Sequence, residues 1–279
     1  MINNSLVINR ALKNKFSMLT FLLLLLTSCF GSAKDKAIEK APIPNLVKDT
    51  LIHWKGVDYV VIKTTANQLS FFLDDGNKKF KQFAALSEHV RKQNRYLIFA
   101  MNGGMYLPER NNEPQGLYIE DGKVKKEMDT LTSIRPIKTN FYLHPNGVFY
   151  IKKNGEPVVS KNIDFLLKYP KKHYSDIKFA TQSGPMLVSD GVIHQAFTPK
   201  SKNIHIRNAV GINQKGEICF VLSEERVCFH DIASLFKEQL NCKNALYLDG
   251  FVSKLYYPKL ERYRTLNCGN FGVIIGLLN

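Results

Sequence analysis

The sequence predicts an α+β fold: a single domain on a mixed, mostly antiparallel sheet with a few helices. Three observations carry the prediction. Short apolar runs of strand character recur, as in Tyr59-Val60-Val61-Ile62 and Ala245-Leu246-Tyr247-Leu248. Hairpin-type turn signals stand between such runs, at Glu120-Asp121-Gly122, Pro145-Asn146-Gly147, Asn154-Gly155 and Asp190-Gly191. Helical spacing is confined to two stretches.

The chain opens on an export pattern. Residues 1–15 carry Arg10, Lys13 and Lys15 and no acid, and an apolar run follows from Phe16 to Leu26. That run is short for a bilayer span and suits the apolar region of a signal peptide. It ends in Leu26-Thr27-Ser28-Cys29, small residues before a single cysteine, as in a bacterial lipobox. The expectation is a lipoprotein signal peptide over 1–28, with Cys29 lipidated and the chain tethered to a membrane. Each buried methylene of the acyl chains then contributes about 0.8 kcal/mol. The alternative is an ordinary secretory leader with Cys29 incidental. Phe30 is not the aspartate of an inner-membrane retention signal, so the expected place is the cell envelope, at the outer membrane or periplasmic face. Residues 29–50, with Lys34, Asp35, Lys36, Glu39, Lys40, Pro42 and Pro44, read as a solvated tether, and 51–279 as the folded domain.

Within that domain Tyr59–Ile62 and Leu69–Leu73 read as strands. Phe80–Asn94 spaces Phe83, Ala84, Leu86 and Val90 as a helix does, and Tyr96–Met101 follows as a central strand. After the hairpin signals, Ala209–Asn213 turns at Gln214-Lys215-Gly216 and returns as Glu217–Leu222. Asp231 reads as the N-cap of a helix through Leu240, with Ile232, Leu235, Phe236 and Leu240 on one face. Ala245–Leu248 and Gly272–Leu278 are short buried strands.

Charge bounds the partners. The formal net charge is +15, of which the leader holds three, leaving about +12. That balance favours phosphate-bearing glycans, lipid headgroups or nucleic acid, with lysine-rich solubility as the plain alternative. Nucleic acid is not expected, because neither an aromatic–basic stripe nor a metal–carboxylate cluster is evident. Cys219, Cys228, Cys242 and Cys268 allow three pairings, and an oxidising compartment favours one or two disulfides. Cys219 and Cys242, however, lie in apolar patterns where a cysteine serves as a small hydrophobe. Asp74-Asp75-Gly76-Asn77 has residue types for calcium but reads as a plain turn. No cofactor is expected, and the oligomeric state is open.

Three segments carry candidate chemistry, each a strand end released by glycine. The first is Asn102-Gly103-Gly104, where glycines permit positive φ and close approach, and their amides can cradle an anion. The second is Gln182-Ser183-Gly184-Pro185, followed downstream by His205 and Arg207; an arginine can grip a phosphate with two nitrogens. The third is Leu248-Asp249-Gly250, an aspartate at the carboxyl end of an apolar strand. Each alone has a plain reading: a tight turn, a surface ion pair, a capping aspartate.

Taken together, Asn102-Gly103-Gly104, Ser183-Gly184-Pro185, Arg207 with Val210-Gly211-Ile212, and Cys242 through Gly250 with Ser253 resemble the phosphodiester glycosidase family over about residues 55–279. The resemblance implies a hydrolase that cleaves a sugar from a sugar-1-phosphodiester, with Asn102, Gly103, Gly104, Arg207, Asp249, Gly250 and Ser253 lining the cleft. Many members carry further glycines after the aspartate, where this chain has Phe251-Val252, which narrows the space above Asp249.

A phosphate is already a good leaving group, so a cationic clamp and one carboxylate suffice in principle. Asp249, Arg207 and Asn102 are the expected catalytic residues. Arg207 would hold the phosphate beside the Gly103 and Gly104 amides, and Asp249 would be the base or the nucleophile. Ser183, Gly184, His205, Gly250 and Ser253 would contact substrate. Glu224 and Glu113 are candidates for a second carboxylate, with His205 as an alternative acid. A non-catalytic binder of anionic envelope glycans is the competing reading.

Overall fold

The computed structural model describes residues 47–131, 140–170, 173–249 and 252–279. Cys29, the leader and most of the tether lie outside them, as does Gly250. The described residues belong to one compact unit, 41–279.

In chain order its elements are β1 (Lys48–Trp54), β2 (Val57–Thr64), β3 (Leu69–Phe72), α1 (Phe83–Arg91), β4 (Leu97–Asn102), β5 (Tyr106–Leu107), β6 (Glu113–Pro114), β7 (Tyr118–Glu120), β8 (Lys123–Lys126), β9 (Gly147–Lys152), β10 (Pro157–Lys161), α2 (Asn162–Lys168), β11 (Ile177–Ser183), β12 (Met186–Ser189), β13 (Val192–Ile193), β14 (Asn208–Asn213), β15 (Ile218–Ser223), α3 (Phe229–Ser234), β16 (Cys242–Tyr247), β17 (Leu255–Tyr256) and β18 (Ile274–Leu278).

The strands build three main sheets, ordered β1-β2-β15-β14-β16-β12-β13, β10-β9-β11-β7-β8 and β17-β4-β18-β3. Pairing is antiparallel in all three, as at β14 with β15 and β16, β11 with β9, and β4 with β18. The fold is therefore sheet-rich α+β, and the sheet is more uniformly antiparallel than the mixed one expected.

The sheets share one core. Val60 and Ile62 of β2, Phe71 of β3, Phe99 of β4, Phe149 of β9, Phe179 of β11 and Phe220 of β15 all belong to it. Their rings meet, Phe71 with Phe179 at 5.3 Å and Phe99 with Phe220 at 5.1 Å between centroids. Each ring buried in this way contributes about 1.5–3 kcal/mol. The burial of three sheets on one another leaves their ends to meet at a single rim, and that rim positions the candidate site.

Local expectations met varied outcomes. α1 buries Phe83, Leu86 and Val90, the stripe its spacing predicts. The Asp121-Gly122, Asn154-Gly155 and Asp190-Gly191 turns join β7–β8, β9–β10 and β12–β13, with positive φ at each glycine. Pro145-Asn146-Gly147 is not a hairpin. Asn146 is buried and tied inward, its Nδ2 donating to Phe141 O at 3.1 Å and its carbonyl accepting from Asn162 N at 2.9 Å. Asp231 is not the N-cap of α3. Cys228 holds that position, and Asp231 sits in the first turn, where the helix dipole favours an acid and where its Oδ2 accepts from Cys228 Sγ at 3.1 Å. Beyond Ser234 the helix continues as a π-helical stretch, Leu235–Gln239.

The four cysteines Cys219, Cys228, Cys242 and Cys268 are free thiols, contrary to the disulfides favoured above. The first three are buried, Cys219 and Cys242 within an apolar cluster. No helix of the described residues is long and apolar enough to cross a membrane. Among the same residues no cluster of three or more His, Cys, Asp or Glu side chains is placed to hold a metal ion. The Asp74–Asn77 segment is a side-chain-capped turn: Asp74 Oδ1 accepts the Gly76 amide at 3.0 Å, and Asp75 Oδ1 accepts those of Asn77 and Lys78 at 2.9 and 2.7 Å.

Candidate active site

The three glycine-flanked turns leave three different sheets and arrive at one place. Asn102 ends β4, Ser183 ends β11, and Asp249 follows β16. Asn102 Nδ2 donates to Asp249 O at 2.7 Å, and Asp249 N donates to Gly103 O at 3.1 Å. The Gly104 backbone packs on the other neighbour. A Cβ there would lie 2.5 Å from Thr181 Oγ1 and closer still to Gln182 O. The Asn-Gly-Gly turn is thus wedged between the Asp249 loop and the strand that carries Ser183.

This contact explains the glycines differently from the sequence reading. Neither Gly103 nor Gly104 has positive φ. Both are required by space, Gly103 because a Cβ would press to 2.9 Å from Val273 Cγ1. The Gly103 amide is also committed, donating to Val273 O at 2.8 Å. The anion cradle of two amides predicted above is therefore at most half available.

A buried amide network holds the floor. Asn208, at the start of β14, donates through Nδ2 to Asn102 O and Oδ1, both at 3.0 Å. Its Oδ1 accepts from Ser253 Oγ at 3.2 Å. Ser253 Oγ also lies 3.2 Å from Ile206 O, and Lys254 N donates to Asn102 Oδ1 at 2.9 Å. Asn102, Asn208 and Ser253 are all buried. Every amide group here finds a partner, which a buried polar cluster needs if it is to be rigid. Asn208 was missed in the sequence. Its one signal was a polar residue opening the apolar run Asn208-Ala209-Val210.

Arg207, next to Asn208 in the chain, is wholly buried. Its Nε donates to Val227 O at 2.8 Å, Nη1 to Tyr247 Oη at 3.2 Å, and Nη2 to Asn203 O at 2.9 Å and Oδ1 at 3.2 Å. The guanidinium stacks 3.6 Å over the Phe229 ring. All its acceptors among the described residues are neutral. His205, two residues earlier, is exposed, so the pair does not present a common face. Burial, then the charges of Arg207 and Arg226, lower the His205 pKa. Ser183 is fully buried, and its Oγ has no partner among the described residues. A Cβ at Gly184 would fall 2.7 Å from Asn146 Cβ, so that turn too is shaped by packing.

The second-carboxylate candidates are both engaged. Glu113 pairs with Lys126 at 2.6 Å, a bond that lowers its pKa. Glu224 Oε1 pairs with Arg262 at 3.0 Å and accepts from Tyr263 Oη. Two tyrosines instead feel the charge of Asp249, and neither was singled out in the sequence. Burial, and after it the charge of Asp249, pushes Tyr106 up to about 12. Burial does the same to Tyr247, with Arg207 opposing and Asp249 adding to the rise. Both stay protonated donors at neutral pH. Asp249 is itself only partly buried, so a ligand can reach it.

A partly buried carboxylate thus stands where strands of three sheets end, in electrostatic reach of two protonated tyrosines. Residues 95–271 match the phosphodiester glycosidase family, and the chain belongs to that family. Among relatives it is similar to uncharacterized protein YigE of Escherichia coli (strain K12), 40% identical over 157 residues, 56% of this chain and 57% of that one. The chain thus spans little more than half the length of that relative. Among solved structures it is similar to the zebrafish N-acetylglucosamine-1-phosphodiester alpha-N-acetylglucosaminidase catalytic domain, auto-inhibited by its pro-peptide. That likeness covers 85% of each chain with a TM-score of 0.58 and 15% identity, and it concerns the fold.

Proposed function

We propose that this chain is a hydrolase that cleaves a sugar from a sugar-1-phosphodiester or a related phosphoglycan, and that it does so at the cell envelope, lipid-anchored through Cys29. The observation that carries the reading is the direct bonding of the Asp249 loop to the Asn-Gly-Gly turn. Family membership supports the reaction class.

Asp249 is the reactive carboxylate. Retention of anomeric configuration in the product would make it the nucleophile, and inversion the base that activates water. Departure of phosphate needs little acid help, so the engaged states of Glu113 and Glu224 do not stop the reaction. Tyr247, whose Oη accepts from Arg207, keeps its own O–H to donate toward the charge that develops on the phosphate. Arg207 acts through Tyr247, whose Oη accepts from its Nη1 at 3.2 Å, and so orients that phenol. Asn102, Asn208 and Ser253 hold the Asp249 loop in register.

The test is release of free sugar from a sugar-1-phosphodiester by the full-length protein and by Asp249→Asn. Loss of release in a variant that melts like the wild type supports the reading; unchanged release removes Asp249 from the reaction. One observation favours the competing binder reading, namely that neither glutamate candidate is free. A protein that holds such glycans and releases no sugar on prolonged incubation would establish it.

A further inference from the structure

A groove of about 520 Å³ opens where α1 meets the loop before it, and its wall is cationic. Lys78, Lys79, Lys81 and Lys92 line it with His89 and Asn270. Two carboxylates border it as well, and both are committed. Glu88 pairs with Lys92 at 3.2 Å. Asp75 accepts the backbone amides of its own turn. Nearby Asp74 and Glu113 are taken by Lys125 and Lys126, at 3.1 and 2.6 Å. Among the described residues no carboxylate within ion-pair distance is left to Lys78, Lys79 or Lys81.

Such a cluster costs free energy by itself. Burial, with the charges of Lys81 and Lys126 adding to it and those of Glu113 and Asp74 opposing, holds Lys79 below its usual value. Like charges gathered on a concave wall focus an attractive field for an anion, and a bound anion relieves their repulsion.

The groove also adjoins the Asp249 site. Asn270, on its wall, accepts through its carbonyl from Tyr106 Oη and from Asn112 Nδ2, the latter at 2.9 Å. Tyr106 in turn feels the charge of Asp249. Tyr106 follows the Asn-Gly-Gly turn, whose Gly103 O accepts from Asp249 N at 3.1 Å, so that segment joins the groove wall to the Asp249 loop.

We propose that the groove lined by Lys78, Lys79 and Lys81 is an anion subsite for a second phosphate of the substrate, so that the protein acts on glycans bearing several phosphates. This rests on the reading of Asp249 given above. It accounts for three lysines without an ion-pair partner among the described residues, near a site whose own arginine, Arg207, is buried.

The experiment titrates full-length protein with inorganic tripolyphosphate at low salt, by calorimetry. Lys78→Ser/Lys79→Ser/Lys81→Ser should bind about tenfold more weakly or worse, and Asp249→Asn as tightly as wild type. Raised salt should weaken wild-type binding in parallel, a readout that needs no variant. Equal affinity of the triple variant and wild type, or salt-independent binding, overturns the proposal. So does a single-stranded oligonucleotide of matching charge that displaces tripolyphosphate at lower concentration, which would assign the groove to nucleic acid. In a kinetic arm, KM for a glycan with two phosphodiesters should rise about fivefold or more in the triple variant, with kcat unchanged and the one-phosphodiester analogue unaffected. Equal changes for both substrates overturn it. If no form hydrolyses either substrate, the Asp249 reading fails, while the tripolyphosphate titration still decides the groove.

Discussion

The Asp249 rim and the α1 groove are neighbours built on opposite principles. At the rim, neutral amides are buried and satisfied. Asn102, Asn208 and Ser253 bond to one another and to backbone, and the neighbouring cation, Arg207, is buried. In the groove, lysines face solvent beside carboxylates already taken by others. Buried hydrogen bonds set positions to a fraction of an ångström, whereas exposed like charges set a field. The difference separates a place that orients a reacting bond from a place that attracts a charged chain.

The comparison can be broken first at the carboxylate. Asp249→Asn should lower sugar release on the order of 10³-fold with melting temperature little changed. A loss of stability instead of rate would make Asp249 part of the scaffold. Next is the sealed cation. Arg207→Lys keeps the charge and loses the fork that reaches Val227, Tyr247 and Asn203, so denaturant unfolding should show a loss of about 3 kcal/mol. Asn208→Ala leaves Ser253 and Asn102 with broken partnerships and should destabilise by about 1–3 kcal/mol. In the groove, by contrast, the triple serine variant should unfold within about 0.5 kcal/mol of wild type or be stabilised, since it removes repulsion and no buried bond.

The smallest effect concerns pH. The Lys126 bond holds the folded-state pKa of Glu113 below the usual carboxylate range. Its contribution is present above the unfolded value and is lost as pH falls through the folded one. Glu113→Gln should therefore differ from wild type at neutral pH by less than about 1 kcal/mol, and the two should converge in acid. A difference that grows on acidification would reverse the assignment.

Much of this was legible in the chain. The apolar run Tyr59–Ile62 and the Gln214-Lys215-Gly216 turn specified a strand and a hairpin, because both signals are local. Asn102, Ser183 and Asp249 stood out because glycine follows the end of an apolar run. The purpose of those glycines was not legible. Gly104 is dictated by Thr181 and Gln182, some eighty residues on, and no local pattern reports such an approach. Asp231 illustrates the same limit, since the start of α3 was decided by the extended backbone at Cys228.

By itself, then, the sequence determined the strand-rich class, the elements that alternate or turn locally, and which residues have reactive side chains. Those follow from side-chain periodicity and backbone preference, which act over a few residues. Only the tertiary structure decided that three sheets end at one rim, that Arg207 is buried, and that three groove lysines have no ion-pair partner among the described residues. Burial and ion pairing are properties of contacts between segments far apart in the chain, and only packing sets them.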